Sequence, residues 1–586
     1  MDVSLIEVAL GKRPADTIIK DGSLVNVHTG EIYQTDIAVS HGRIATIGPI
    51  LEGAYGPDTM ILDAKGLYLA PGFMDAHIHI ESSMLTYTEF SKMVVKHGTT
   101  AVATDLMEVT IVSGLDGMKE VLNEAGKTPV HLYYPIPAFM DEDQFQTTGS
   151  TLHPSMMEDL ITLPQAVGLA EVLAYPILAG SQNSASMLDL AERYHKTAEG
   201  HAPGLLGEAL NAYASAGINS DHESTSKEEA LQKLRCGLNV LMREGSASTD
   251  LEACLKVLVE NHISSRFCSM VSDDIDALHI STYGHLDHKV RMAIKAGVDP
   301  VSAIQMVTLN PATNFHLEHE RGSLTPGKVA DIVFLSSLEA CKVEQVMSDG
   351  NLVVKQGNLC IDIPAYEYAP VLLNTVTLSK VIEPADLLLT VDPEATSAHV
   401  HVIGASKVSL LTEAMEADLP VIDGVVQADT AQDVLHIACI ERYGKNGNIG
   451  KAFVHGFGLT HGAIALSVGH DHHNISVIGS NAADMACAVN RIGDLQGGFV
   501  LVDDGVVIEE IALPICGLLS PDDGEVVAAK LKKMIEVLKS FGCDMPSPNV
   551  TLSFLTLIFI PAFGITDKGL FDVFEQKIID AIIQVN

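Results

Sequence analysis

Three patterns of apolar and polar positions follow one another along the chain. From about Asp16 to Ala70, short apolar runs are punctuated by turn residues, as in TIIKDGSLVNV, DIAVSHGRIATIG and MILDAKGLYLA. Runs of this length predict strands, with Asp21-Gly22 and His41-Gly42 supplying turns. The same grammar returns between Gly327 and Gly357, in KVADIVFLSS and VEQVMSDGNLVVKQG. Two β-rich pieces that flank a different middle predict one small β domain assembled from both sides, residues 1–70 plus 326–365.

The middle, residues 71–325, alternates apolar strand-like runs with amphipathic stretches. TTAVATDLMEV, QAVGLAEVLAY, AGINSDHES, GLNVLMREGS and FCSMVSDD read as strands, while KEEALQKLRCG and HKVRMAIKAG read as helices. Repeated strand–helix units of this length predict a parallel sheet with crossover helices, and a closed (β/α)8 barrel fits their number. In such a barrel the polar residues just after each strand stand at the catalytic mouth. A third block, residues 366–586, carries HVHVIGA, AIALSVG, ISVIGS and GGFVLVDDGVVIEEIAL, then helical sequence around 524–541, and predicts a mixed α/β domain. The fold class is therefore α/β: a TIM-like barrel with a split β domain and a C-terminal mixed domain.

Composition narrows the partners. At 586 residues, with 47% hydrophobic and 19% charged positions, the chain can bury several cores. Its 36 basic and 75 acidic residues give a formal net charge of −39, which opposes binding to nucleic acid or anionic lipid and suits a neutral or cationic small substrate. No apolar run reaches the roughly 18 residues of a membrane span. Leu552–Gly564 comes nearest, and Ser553, Thr556 and Pro561 interrupt it, so a buried core segment is expected there. The start of the chain lacks the pattern of a secretory signal. Nine scattered cysteines with no C-x-x-C pair suit a reduced, cytoplasmic protein rather than a disulfide scaffold or cysteine zinc site.

Chemistry concentrates in Pro71-Gly72-Phe73-Met74-Asp75-Ala76-His77-Ile78-His79. Histidines two apart on a strand share a face, which sets two imidazoles side by side for one divalent metal. Further ligand-type residues stand at later strand ends: Glu171 in GLAEVLAY, His201 in GHAPG, His222 in SDHES and Asp273 in VSDD. Nitrogen and carboxylate donors of this kind suit Mn, Fe(II) or Zn rather than calcium. Six ligand-type residues exceed what one ion needs and point to a bridged pair.

The series PGFMDAHIHIESSM, GLAEVLAYP, GHAPGLLGEALNAY, AGINSDHES, REGSAS, SDD and TLNPAT resembles the adenine deaminases of the amidohydrolase superfamily. The resemblance continues through GSLTPGKVADIVFL, ERYGKNG, HGFGL, HDHHN and GLFD, and so covers nearly the whole chain. It implies hydrolytic deamination of adenine to hypoxanthine and ammonia, by attack of a metal-activated hydroxide on C6. It also implies a (β/α)8 barrel with a split β-sandwich and a C-terminal domain, two divalent ions, Mn or Fe ahead of Zn, and His77 and His79 at the more buried one. Glu171 would bridge in the role a carboxylated lysine plays in many relatives, and residues 161–180 hold no lysine. His201 and His222 would hold the second ion. Asp273 would ligate and shuttle protons, with Glu171 and His222 beside it in the catalytic set. Glu81, Ser82, Asp105, Glu108 and Ser246 are the candidate substrate-binding residues, with helix capping the competing role for Ser82 and Ser83. A purine base is the expected partner, and a homo-oligomer the expected assembly.

One segment departs from that family. Its usual Asp-Pro-His-Glu stands here as Asp105-Leu106-Met107-Glu108, and a methionine neither donates nor relays a proton. The alternative activities are therefore hydrolysis of another aminopurine or of a cyclic amide. A catalytically silent nucleobase binder is a third reading, against which the full ligand set argues. Ala125-Gly126-Lys127-Thr128 ends like a phosphate loop but has Val121 where that motif needs glycine. The H-x-E with P-C-x-x-C signature of cytidine-type deaminases is absent. His470-Asp471-His472-His473-Asn474 could bind metal, line the barrel mouth or hold a turn. Arg243 could position substrate or make a structural pair with Glu244.

Overall fold

The computed structural model describes residues 3–138, 144–152, 154–246, 248–407, 411–559 and 562–586. Its centre is a ring of eight parallel strands: β1 (Phe73–Asp75), β2 (Thr99–Ala103), β3 (His131–Pro137), β4 (Ala166–Leu173), β5 (Thr197–His201), β6 (Ser220–Asp221), β7 (Asn239–Arg243) and β8 (Cys268–Val271). Each pairs with the next in chain order, as right-handed strand–helix–strand units dictate. Both faces of the sheet are covered, so the strand residues are nearly all buried.

The ring closes just beyond its last strand. Asp273-Asp274 pairs in parallel with Ile78-His79, and the Asp273 N–H donates to the His77 carbonyl at 3.0 Å. Asp75 Oδ1 accepts the Ser272 N–H at 3.2 Å, and Asp75 Oδ2 lies 3.2 Å from His285 Nε2. The seam thus joins the segment carrying both histidines of the H-x-H motif to the segment carrying Asp273.

A nine-stranded sheet lies at the other end of the barrel and draws on two parts of the chain. Five strands come from Thr17–Pro71 and four from Ile332–Leu359, joined where Tyr68–Pro71 pairs antiparallel with Ile332–Leu335. Gly72 marks the crossing into β1. A Cβ there would stand 2.2 Å from Thr100 Oγ1 and 2.8 Å from Asp331 Cβ, so only glycine lets the backbones approach.

Beyond the nine-stranded sheet, a ten-stranded sheet runs from Ser397–Gly404 to Val506–Ala512, with Ile582–Val585 pairing back onto it. Helix Ala482–Leu495 packs on it, and a three-stranded sheet spans Phe563–Ile579. The C-terminal region is not a loose appendage. One continuous core runs from Leu106, Val109 and Tyr134 of the barrel to Phe457, Leu519 and Leu552. Ser520 also donates its N–H to Met84 O at 2.7 Å, directly after the H-x-H segment. Phe554, Leu557 and Ile558 are buried, as expected of that apolar run, while Ile560 and Pro561 lie outside the described residues. Among the described residues no helix is long and apolar enough to cross a membrane, and the nine cysteines are free thiols. Lys127 follows helix Met107–Ala125 in the turn into β3, so its segment is a helix end rather than a phosphate loop.

The strand ends are pinned by buried ion pairs. Lys233 is fully buried on helix Lys227–Arg235; its ammonium pairs with Asp221 and lies 2.9 Å from both Glu229 Oε1 and the Ala202 carbonyl. Asp221 ends β6 and immediately precedes His222. Replacing Lys233 with Met strands two buried carboxylates, so a loss of about 3–5 kcal/mol is expected. The check is a lowered urea midpoint relative to wild type.

Candidate metal centre

The C-terminal strand ends deliver their side chains to one point. Glu171 lies within β4, His201 ends β5, His222 follows β6, and Asp273 stands two residues beyond β8. His77 and His79 follow β1 in extended chain, with ring centroids 5.0 Å apart. Asp273 adopts a left-handed φ of 57°, a conformation rarely held by a non-glycine residue, which the closing seam imposes.

Four imidazoles converge on the Glu171 carboxylate. His77 Nε2, His79 Nε2 and His222 Nε2 lie 3.4, 3.1 and 3.4 Å from Oε1, and His201 Nδ1 lies 2.6 Å from Oε2. Asp273 Oδ1 stands 3.3 Å from His77 Nε2 and 3.7 Å from His79 Nε2. Donors around one ion at first-row metal distances sit about 3.0–3.4 Å from each other, so these spacings match edges of a coordination polyhedron. Three overlapping groups of donors lie close enough to share an ion: His77, His79 and Asp273; His77, Glu171 and His222; and His201, His222 and Glu223. Burial disfavours the Glu171 carboxylate, yet His201 and His222 hold it well below the usual range, so it stays ionised.

Residues that carry no motif signal hold this arrangement. Glu199 of β5 is fully buried, and its Oε1 lies 2.7 Å from His77 Nδ1 and 3.1 Å from His222 Nδ1. The two rings stack at 3.9 Å with 13° between planes. One carboxylate thus accepts both Nδ1–H groups and turns both Nε2 atoms towards Glu171. Arg243 aims Asp273 in a similar way: Nη1 lies 3.1 Å from Asp273 Oδ2 and 2.7 Å from Glu223 Oε1, while Nε holds Asp250 at 2.9 Å. Burial opposes ionisation of Asp273, but His77 and Arg243 keep its carboxyl far below the usual range. Arg243 is therefore a site residue, and the Arg243–Glu244 pair considered from sequence gives way to Asp250, Glu223 and Asp273. Glu223 itself lies 3.2 Å from His222 Nε2 and 3.6 Å from His201 Nδ1. Its place beside His222 in SDHES was the signal that could have found it.

A cavity of about 60 Å³ opens above the centre. It is lined by His79, Glu171, His201, His222 and Asp273, with Met107, Leu173, Phe554, Leu557 and Phe559 on its apolar side. Of the residues expected to bind substrate, Glu108 lines it and the other four do not. Glu81 is fully buried, with Oε1 3.4 Å from the Val109 N–H. Ser82 donates its hydroxyl to Asp274, and the local turn is held by Ser83, which bonds Ile80 O and the Leu85 N–H. Asp105 Oδ1 lies 3.4 Å from His79 Nδ1, as does Glu108 Oε1, so this pair orients His79 from behind. Ser246 accepts the Asp276 N–H at 2.9 Å in a turn beside the mouth. The four misplaced expectations share a cause. A residue that follows a strand can turn inward behind the first layer of side chains as readily as onto the cavity wall.

The HDHHN segment does not form a metal cluster of its own among the described residues. His470 lines the cavity, whereas His472 Nδ1 accepts the Asn474 N–H at 3.0 Å and His473 is wholly buried.

The donor set suits divalent ions. His77 Nε2 and His201 Nδ1 are buried without a well-directed hydrogen bond, although carboxylate oxygens stand close. Burial pushes the Glu81, Asp105 and Asp274 carboxyls up, whereas imidazole and guanidinium neighbours hold Glu108, Glu171, Glu199, Glu223 and Asp273 below the usual carboxylate range although all are buried. Buried negative charge in that excess calls for further cations.

Residues 68–353 match the amidohydrolase family, and residues 409–577 match the adenine deaminase C-terminal domain. An adenine deaminase from Moorella thermoacetica is 39% identical over 99% of this chain and 97% of its own. One from Mesorhizobium japonicum is 39% identical over 100% of this chain and 97% of its own. Among solved structures, an adenosine deaminase from Xanthomonas campestris with bound zinc superposes with a TM-score of 0.46 at 16% identity, covering 60% of this chain and 95% of its own.

Glu199 provides the test of the site's architecture. In Glu199→Gln the oxygen shared by the two Nδ1–H groups loses its negative charge, both hydrogen bonds weaken, and metal affinity is expected to fall about 10- to 100-fold. Competition with a chromophoric chelator measures it, with the thermal midpoint of the metal-free protein as control.

Proposed function

Since the chain belongs to the adenine deaminase family of amidohydrolases, we propose that its cluster around Glu171 is the deaminase centre, whose residues would hold two divalent ions. The reaction is metal-dependent hydrolysis of adenine to hypoxanthine and ammonia. The observation that carries the assignment is the approach of four imidazoles and Asp273 to one another around Glu171. On this reading His77, His79 and Asp273 hold one ion, His201 and His222 hold the other, and Glu223 stands within reach of the second. Nitrogen and oxygen donors without thiolate suit Mn or Fe(II), with Zn admissible. Bound ions there lower the pKa of water and supply a nucleophile at neutral pH.

The side chains divide the remaining work. Asp273 is ionised, with Oδ1 towards His77 and His79 and Oδ2 held by Arg243, so it is placed to accept the proton of the attacking water. Addition at C6 places a proton on N1, and cleavage of the C6–amine bond sends a second proton out with ammonia. Asp273 carries these protons between oxygen and nitrogen. Met107, Leu173, Phe554 and Leu557 offer apolar surface to a planar ring and keep water from the reacting face. Glu81, Asp105 and Ser82 act behind the wall as supports, not as substrate contacts. On this reading the domains are residues 1–70 plus 326–365, 71–325 and 366–586, and a cytoplasmic setting suits the free cysteines.

Mn-reconstituted protein is expected to release ammonia from adenine and not from adenosine or guanine. Turnover of a cyclic amide alone would overturn the purine assignment. Asp273→Asn keeps an oxygen ligand but cannot carry a proton, and kcat is expected to fall about 10²- to 10⁴-fold with metal retained. His77→Ala is expected to lose metal and activity together while circular dichroism stays unchanged.

A further inference from the structure

The C-terminal region reaches back into the catalytic cavity. His470, Asp471, Phe554, Leu557 and Phe559 line the same space as His79, Glu171 and Asp273. His470 is the most constrained of them. Its Nδ1 lies 3.3 Å from Glu108 Oε1 and its Nε2 3.6 Å from Asp274 Oδ1. Glu108 follows β2 and Asp274 follows β8, the two strands that flank β1 in the closed ring. The imidazole therefore spans the mouth above His79, with ring centroids 6.3 Å apart.

Its backing is equally specific. The Phe554 ring stacks on His470 at 5.1 Å with 16° between planes. The His470 N–H donates to Ser553 O at 3.1 Å, and Thr556 Oγ1 donates to His470 O at 2.6 Å. These bonds lock the histidine and the 553–556 segment into one unit. The neighbouring His472 and His473 are completely buried and do not reach the cavity, so His470 alone of the three has a face to offer a ligand.

We propose that His470 is a substrate-binding residue contributed by the C-terminal region, its imidazole tied to Glu108 and Asp274 and backed by Phe554 to form a wall against which the purine ring packs. The proposal rests on the deaminase reading above and goes beyond it, since it makes the barrel site incomplete without the C-terminal region. Both ring nitrogens face carboxylates, so the ring itself is what the substrate meets. A planar heteroaromatic base is the ligand chemistry that such a stacked pair recognises.

The test uses full-length, Mn-loaded enzyme and reads KM, kcat, metal content and the Kd of hypoxanthine. His470→Ala is expected to keep wild-type metal content while KM for adenine and Kd for hypoxanthine both rise about 10- to 100-fold. His470→Phe keeps a ring but loses both ties, so KM is expected to return close to wild type. Phe554→Ala removes the backing and is expected to raise KM in the same direction, which keeps the test open should His470→Ala fail to fold. Unchanged KM and Kd in metal-replete His470→Ala would overturn the proposal. So would losses in His470→Ala and His470→Phe that merely track loss of metal, since that pattern marks a structural pillar. Wild-type enzyme inactive on adenine would instead overturn the deaminase reading.

Discussion

One buried carboxylate organises the molecule's chemistry. Glu171 lies within 3.4 Å of four imidazole nitrogens drawn from three places along the barrel rim. A carboxylate so placed remains ionised despite burial, and the nitrogens around it face inward with little else to bind. That arrangement is costly in a metal-free interior and favourable once cations share it. The surrounding shell follows from the same constraint. Glu199 turns two histidines, Asp105 and Glu108 stand 3.4 Å behind a third, and Arg243 fixes Asp273, so each of these side chains is held by an oppositely charged or polar neighbour.

The fold supplies what the side chains cannot. A parallel barrel gathers the ends of distant strands, but the last strand must still be brought against the first. Here the pairing of Asp273-Asp274 with Ile78-His79 performs that closure and in the same stroke places the Asp273 carboxylate beside the H-x-H pair. The unusual backbone of Asp273 is sustained because the closing ladder and Arg243 hold it from both sides. Gly72 and the Ser520–Met84 hydrogen bond extend the same economy outward, fixing the flanking sheet and the C-terminal region directly to the segment that bears His77 and His79.

Much of this was legible in the sequence, and the gaps have physical reasons. His77, His79, Glu171, His201, His222 and Asp273 could be picked out because strand ends in a barrel face one mouth and because ligand-type residues are rare in apolar strands. The structure brings all six together. Glu199 was not legible, since a carboxylate inside a strand looks the same whether it faces a helix or a metal ligand. Glu223 was hidden by its neighbour His222, and Arg243 read equally well as a structural pair. The placement of Glu81, Ser82, Asp105 and Ser246 failed because chain proximity to a ligand does not say which layer a side chain enters. Met107 does line the cavity, so the one departure from the family pattern falls where a substrate would feel it. His470 and Phe554 reach the cavity only through the packing of the C-terminal region, which no local pattern encodes.

Metal stoichiometry as a function of Glu171 tests the bridging role most directly. Purified wild-type protein, stripped and titrated with Mn, is expected to bind two equivalents per chain. Glu171→Gln should fail to hold the pair, binding at most one equivalent, with deamination of adenine lost. A Glu171→Gln protein that still binds two equivalents and turns over adenine at the wild-type rate would contradict the shared carboxylate at the centre of the site.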